Sequence, residues 1–159
     1  MIVICINGSI NSGKSTVARA LAARLGNARF VEGDDHDGHE LPFEDMISAA
    51  LERLAREVRS DAGHDFLVIA YPLREADFLL LEAAAVGRGA EIAAVTLAPP
   101  LDVALSQRGE RVLDEGELAR IREMYAEGYH ARPFSSLTIA GVPPVDEVVE
   151  RIVRWLERV

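Results

Sequence analysis

Lysine is almost missing from this chain: there is one, Lys14, against 16 arginines. Cysteine is equally scarce, and Cys5 alone excludes both an intramolecular disulfide and a cysteine-ligated zinc site. Basic charge is in deficit, 17 Lys and Arg against 26 Asp and Glu for a net charge of −9. That balance argues against a nucleic-acid or anionic-membrane partner, since both need a basic footprint. No apolar run approaches the ~18 residues of a membrane span. The opening run Met1–Ile6 stops at Asn7-Gly8, too short and without the basic flank of a signal peptide. The expectation is a soluble, cytoplasmic protein, monomer or homodimer. Its 159 residues, 49% apolar and 27% charged, suit one folded domain, residues 1–159, that needs no disulfide or structural metal.

Short apolar runs alternate with amphipathic stretches. Strands are predicted at Ile2–Asn7, Ala28–Glu32, Phe66–Tyr71, Ile92–Leu97 and Leu137–Ala140. Helices are predicted at Lys14–Leu25, Phe43–Arg59, Ala76–Val86, Leu101–Ser106, Leu118–Tyr129 and from Pro144 onward. Strands that are apolar throughout and separated by helices imply an α/β three-layer arrangement, a parallel sheet covered on both faces. Ligands on such sheets bind outside the carboxyl ends of the strands. Gly8, Gly33, Tyr71 and Pro99 all fall at that edge.

Gly8-Ser9-Ile10-Asn11-Ser12-Gly13-Lys14-Ser15, followed by Thr16, fits G-x-x-x-x-G-K-[ST] between a predicted strand and a predicted helix. The bare pattern arises by chance in roughly one chain of this length in two hundred, and the strand–loop–helix context confirms it. The glycines let successive amides converge on one anion, and the helix start adds its partial positive charge. Lys14 then supplies a slim point charge between the β- and γ-phosphates of ATP, where a forked guanidinium does not fit. The Ser15 hydroxyl is a ligand for Mg²⁺.

Seven acids lie between Glu32 and Asp45, and no lysine or arginine lies between Arg29 and Arg53. A carboxylate at this strand end can hold an acceptor hydroxyl and take its proton, or hold a magnesium-bound water. Asp34, directly after the strand and its glycine, is the first candidate and Asp35 the second. His36 and His39 in this polar loop are read as solvated, as are Arg53 and Arg56 on the following helix.

With these residues in view, the sequence resembles the small P-loop metabolite kinases, such as gluconate kinase and shikimate kinase. The resemblance follows the order of elements along the whole chain, with specific motifs at 8–16 and 30–34. Phe30-Val31-Glu32-Gly33-Asp34 is similar to the gluconate kinase segment whose aspartate contacts the sugar acid. The fold implied is the P-loop NTPase sandwich, a five-stranded parallel sheet of order 2-3-1-4-5 with a short lid at about 107–116. By the same resemblance Arg108 is expected to stack on adenine, and Arg111 to reach the γ-phosphate from the lid. Tyr71-Pro72-Leu73-Arg74 is similar to the segment that holds a nucleoside monophosphate in adenylate kinase-like enzymes, which makes Tyr71 and Arg74 candidates for the acceptor pocket. The substrate motifs of the named kinases are not kept. Asp37 stands where gluconate kinases have histidine, Met46 stands in place of an arginine, and Ala70-Tyr71-Pro72 replaces the glycine triplet of shikimate kinases.

The activity expected is transfer of the γ-phosphoryl group of Mg-ATP to a hydroxyl of a small metabolite or antibiotic. The alternatives are a nucleoside monophosphate kinase and a nucleotide-binding regulatory module without transferase activity. A GTPase is excluded, because Asn-Lys-x-Asp needs a second lysine.

Overall fold

The computed structural model describes residues 1–34 and 42–159. Asp35, His36 and His39 therefore lie outside the described residues. Five strands, β1 (Ile2–Asn7), β2 (Ala28–Glu32), β3 (Phe66–Ala70), β4 (Glu91–Ala98) and β5 (Leu137–Ala140), form one parallel sheet in the order β2-β3-β1-β4-β5. The helices are α1 (Lys14–Arg24), α2 (Phe43–Ser60), α3 (Glu75–Val86), α4 (Leu101–Ala104), α5 (Glu115–Ala126) and α6 (Val145–Leu156).

Both faces of the sheet are buried because its strands are apolar at odd and even positions alike. In β1, Val3 and Cys5 point toward Leu51, Leu54 and Val58 of α2 and Leu81 of α3. Ile4 and Ile6 point the other way, toward Val17 and Leu21 of α1 and Val149 and Ile152 of α6. β3 repeats the alternation with Leu67 and Ile69 against Val68 and Ala70. Cys5 is fully buried, which pushes its thiol up to about 12 and leaves it a small core hydrophobe. Trp155 is only partly buried at the margin of the α1–α6 side.

The pairing register, with Ile2 opposite both Phe66 and Glu91, brings the carboxyl ends of the strands to one edge. Asn7 ends the central strand there. Its amide donates to Thr96 Oγ1 (3.0 Å) and to the Tyr129 carbonyl (3.3 Å), and its Oδ1 accepts from the Leu73 amide (2.8 Å). One buried side chain thus ties β4, the segment after β3 and the chain beyond α5 to the point where β1 meets its loop. Among the described residues, no helix is long and apolar enough to cross a membrane.

Candidate active site

The turn from β1 into α1 is forced by two glycines. A Cβ on Gly8 would lie 2.6 Å from Ser12 Oγ and 2.8 Å from the Leu97 carbonyl oxygen, and its φ of 150° disfavours any side chain. Gly13, at φ 95°, is the left-handed N-cap of α1. Ile10 to Thr16 line a cavity of about 820 Å³ at the strand edge. Gly8 and Ser9, expected to line it too, lie buried in the loop's base instead, where the Ser9 carbonyl accepts from Lys14 Nζ at 2.6 Å.

Lys14 is 8% exposed. Burial pulls its ammonium from 10.5 down to about 8, partly opposed by the nearby carboxylates of Asp34 and Glu32, while Arg111 adds to the lowering. A buried cation with one carbonyl partner and a helix N-terminus beside it is a site prepared for an anion. Ser12 Oγ points the same way, since it is buried on this cavity wall with no hydrogen-bond partner.

Asp34, Ser15, Arg108 and Arg111 line the same cavity. Asp34 is exposed at its β2 end, and the chain leading to it is fixed from two sides. The Gly33 amide donates to the Ala70 carbonyl (2.9 Å), and a Cβ there would come within 2.5 Å of the Tyr71 ring. Arg53 Nη2 donates to the carbonyls of Glu32 (2.8 Å) and Gly33 (3.0 Å). The solvated helix face expected for Arg53 and Arg56 therefore holds only for Arg56, which is exposed.

Tyr71 and Arg74 also line the cavity. Tyr71 is buried, which with the negative charge of Asp34 pushes its phenol up to about 12, so it acts as a neutral hydroxyl. Arg74 grips Asp77 through Nε (3.0 Å) and Nη2 (3.0 Å) at the start of α3.

The lid differs from expectation at its far end. α5 begins at Glu115 rather than Leu118, because Asp114 accepts from the Glu117 amide while the Glu117 carboxylate accepts from the Asp114 amide. The segment expected as a lid is therefore irregular only over 107–114. Arg111 is ion-paired with Glu117. Arg108 donates to the Asn11 carbonyl (2.9 Å), a contact that sets it over the phosphate loop. Asn11, a variable position of the loop motif, proves structural: its amide donates to the carbonyls of Ala104 (2.9 Å) and Ser106 (2.8 Å) at the lid's root.

The donor set for a cation is hard oxygen, the Ser15 hydroxyl and the Asp34 carboxylate, and so fits Mg²⁺. Among the described residues no three His, Cys, Asp or Glu side chains converge as a metal cage.

A parallel sheet of order 2-3-1-4-5, whose central strand runs through a glycine loop into a helix, defines the kinase-like P-loop α/β fold. Among solved structures similar to this chain is a gluconokinase from Sinorhizobium meliloti 1021, with a TM-score of 0.77 and 22% identity over 98% of this chain and 91% of that one. A shikimate kinase from Acinetobacter baumannii in complex with shikimate gives 0.68 and 20%, over 98% and 93%. The Mycobacterium tuberculosis APS kinase CysC in complex with AMPPNP and APS gives 0.64 and 20%, over 98% and 96%. All three belong to the group of P-loop small-molecule kinases that the segments 8–16 and 30–34 resemble, and at these identities the likeness is one of fold. No family model matches the sequence, and no curated protein matches it.

Proposed function

We propose that this chain is a kinase that transfers the γ-phosphoryl group of Mg-ATP to a hydroxyl of a small molecule. The observation that carries the reading is the shared cavity: buried Lys14 at the start of α1 faces the same space as Asp34 at the end of β2 and Arg111 of the lid. The likeness to kinases of sugar acids, shikimate and APS supports it at the level of fold.

In this reading the amides of residues 10–15 and the α1 N-terminus cradle the phosphates, and Lys14 balances charge on the transferring group. Asp34 accepts a hydrogen bond from the acceptor hydroxyl, orients its oxygen in line with the γ-phosphorus and takes the proton as the new P–O bond forms. Arg111 exchanges Glu117 for the γ-phosphoryl oxygens when the lid closes, and Arg108 covers the base side of the nucleotide. Ser15 and Asp34 would hold Mg²⁺, which when bound neutralises charge on the β- and γ-oxygens.

The test is ADP release from Mg-ATP across a panel of sugars, sugar acids, nucleosides, nucleotides and antibiotics. Lys14→Ala abolishes turnover. Asp34→Asn lowers kcat by two orders of magnitude or more while ATP affinity is kept. If Asp35→Asn has that effect instead, the carboxylate is one residue further on. Stoichiometric ATP binding with no acceptor-dependent ADP release would replace the kinase by a binding module, and a preference for nucleoside monophosphates would make it a nucleotide kinase.

A further inference from the structure

Beyond the loop, Asp34 and the lid, the cavity has a second half whose lining is strongly biased. Phe43, Met46 and Ile47 of α2 form one wall, Tyr71 and Pro72 a second, and Met124 with Tyr129 a third. Phe43 is 57% exposed, an unusual cost for a phenylalanine at the first turn of a helix.

The charges around this half are already committed. Its two lining guanidinium groups are Arg74 and Arg120. Arg74 is held by Asp77 through two short bonds, with Glu44 at 3.8 Å. Arg120 is held by Glu127 (2.8 Å) and Glu123 (3.1 Å). Arg132 does not line the cavity; it stacks 4.0 Å from the centre of the Tyr129 ring and donates to the carbonyls of Leu73 and Glu127. Of the carboxylates in these pairs only Asp77 lines the cavity, beside Asp34. An anionic acceptor entering this half would have to break a carboxylate–guanidinium pair, losing bonds as good as those it made.

We infer that the acceptor is a hydroxyl compound with an apolar, ring-bearing body and no negative charge. This rests on the kinase reading and narrows it. The aromatic and methionine walls take the body by area and stacking. Asp34 takes the hydroxyl. Arg74 and Arg120 are already paired and Asp34 repels an anion, which turns away sugar acids, hydroxy acids and nucleotides.

The experiment uses acceptor pairs that share a body and differ by one charged group: aryl glucosides against the matching aryl glucuronides, and nucleosides against their 3′-monophosphates. Gluconate and shikimate are added as compact anions. ADP release is measured with saturating Mg-ATP, and Mg-ATP binding is followed separately by the shift in Tm. The uncharged member of at least one pair should be turned over with a kcat/KM at least tenfold above its anionic partner. Phe43→Ser should raise KM for that acceptor about fivefold or more with kcat held within twofold, a split that a general loss of structure does not produce. Met46→Arg should narrow the gap within each pair. Turnover that favours the anionic members, or gluconate or shikimate, overturns this inference and leaves the kinase reading standing. Binding of Mg-ATP with no ADP release in any arm overturns both.

Discussion

Lys14 is costly to the protein that keeps it. An ammonium lowered from 10.5 to about 8 is penalised in the folded state at every pH below about 8. Between about 8 and 10.5 the unfolded chain binds more protons than the folded one, so this residue makes stability rise with pH there. The penalty at neutral pH is of order 2–3 kcal/mol. Lys14→Met should therefore raise the Tm of the nucleotide-free protein by several degrees at pH 7, with the gain shrinking toward pH 10, while turnover is lost. Thermal melts of both proteins from pH 6 to 10 check it, and a variant less stable than the parent at pH 7 would refute it. This site could be read from the sequence because its chemistry is concentrated in eight consecutive residues. Arg53 could not, because its partners are main-chain carbonyls 20 and 21 residues away. Hydrophobic periodicity places a side chain on a face but does not say which carbonyl waits opposite.

The elements differ in the same way. β1, β2 and β5 keep the bounds predicted from their apolar runs, since both faces of the sheet demand apolar residues and glycine or polar neighbours end the run. α5 starts three residues before its first apolar position because the reciprocal cap of Asp114 and Glu117 nucleates it. The D-x-x-E spacing was the available signal, though Gly116 within it obscured the helix. Glu117 has a second task, as the partner of Arg111. Gln at 117 keeps the cap but loses the charge. If Arg111 must leave Glu117 to reach the γ-phosphoryl group, Glu117→Gln should lower KM for ATP by up to about fivefold, the scale of an exposed ion pair, with Tm nearly unchanged. Arg111→Ala should lower kcat more than ATP affinity. Steady-state kinetics on both variants decides the matter, and a raised KM in Glu117→Gln would count against the exchange.

At the scale of the whole molecule, strand order and helix placement follow from alternation and from the right-handed crossovers that parallel strands require. The apolar half of the cavity does not follow from them. Phe43, Tyr71 and the pair Met124 and Tyr129 come from three distant stretches, and no local pattern announces that they line one cavity. Net charge acts at this scale too. With −9 on 159 residues, self-repulsion opposes the compact state. Raising NaCl from about 0.02 to 0.3 M, which shortens the screening length to a few ångströms, should lift Tm by a few degrees. A Tm that falls over this range would mean that the surface ion pairs, Arg24–Glu150 and Arg151–Glu147 among them, outweigh the repulsion.

Asn11 hooks two carbonyls at the end of α4, and Arg108 reaches back to the Asn11 carbonyl. Floor and roof are therefore laced together at a single asparagine. In the kinase reading, a nucleotide seated on the floor would bear directly on the chain where the roof begins.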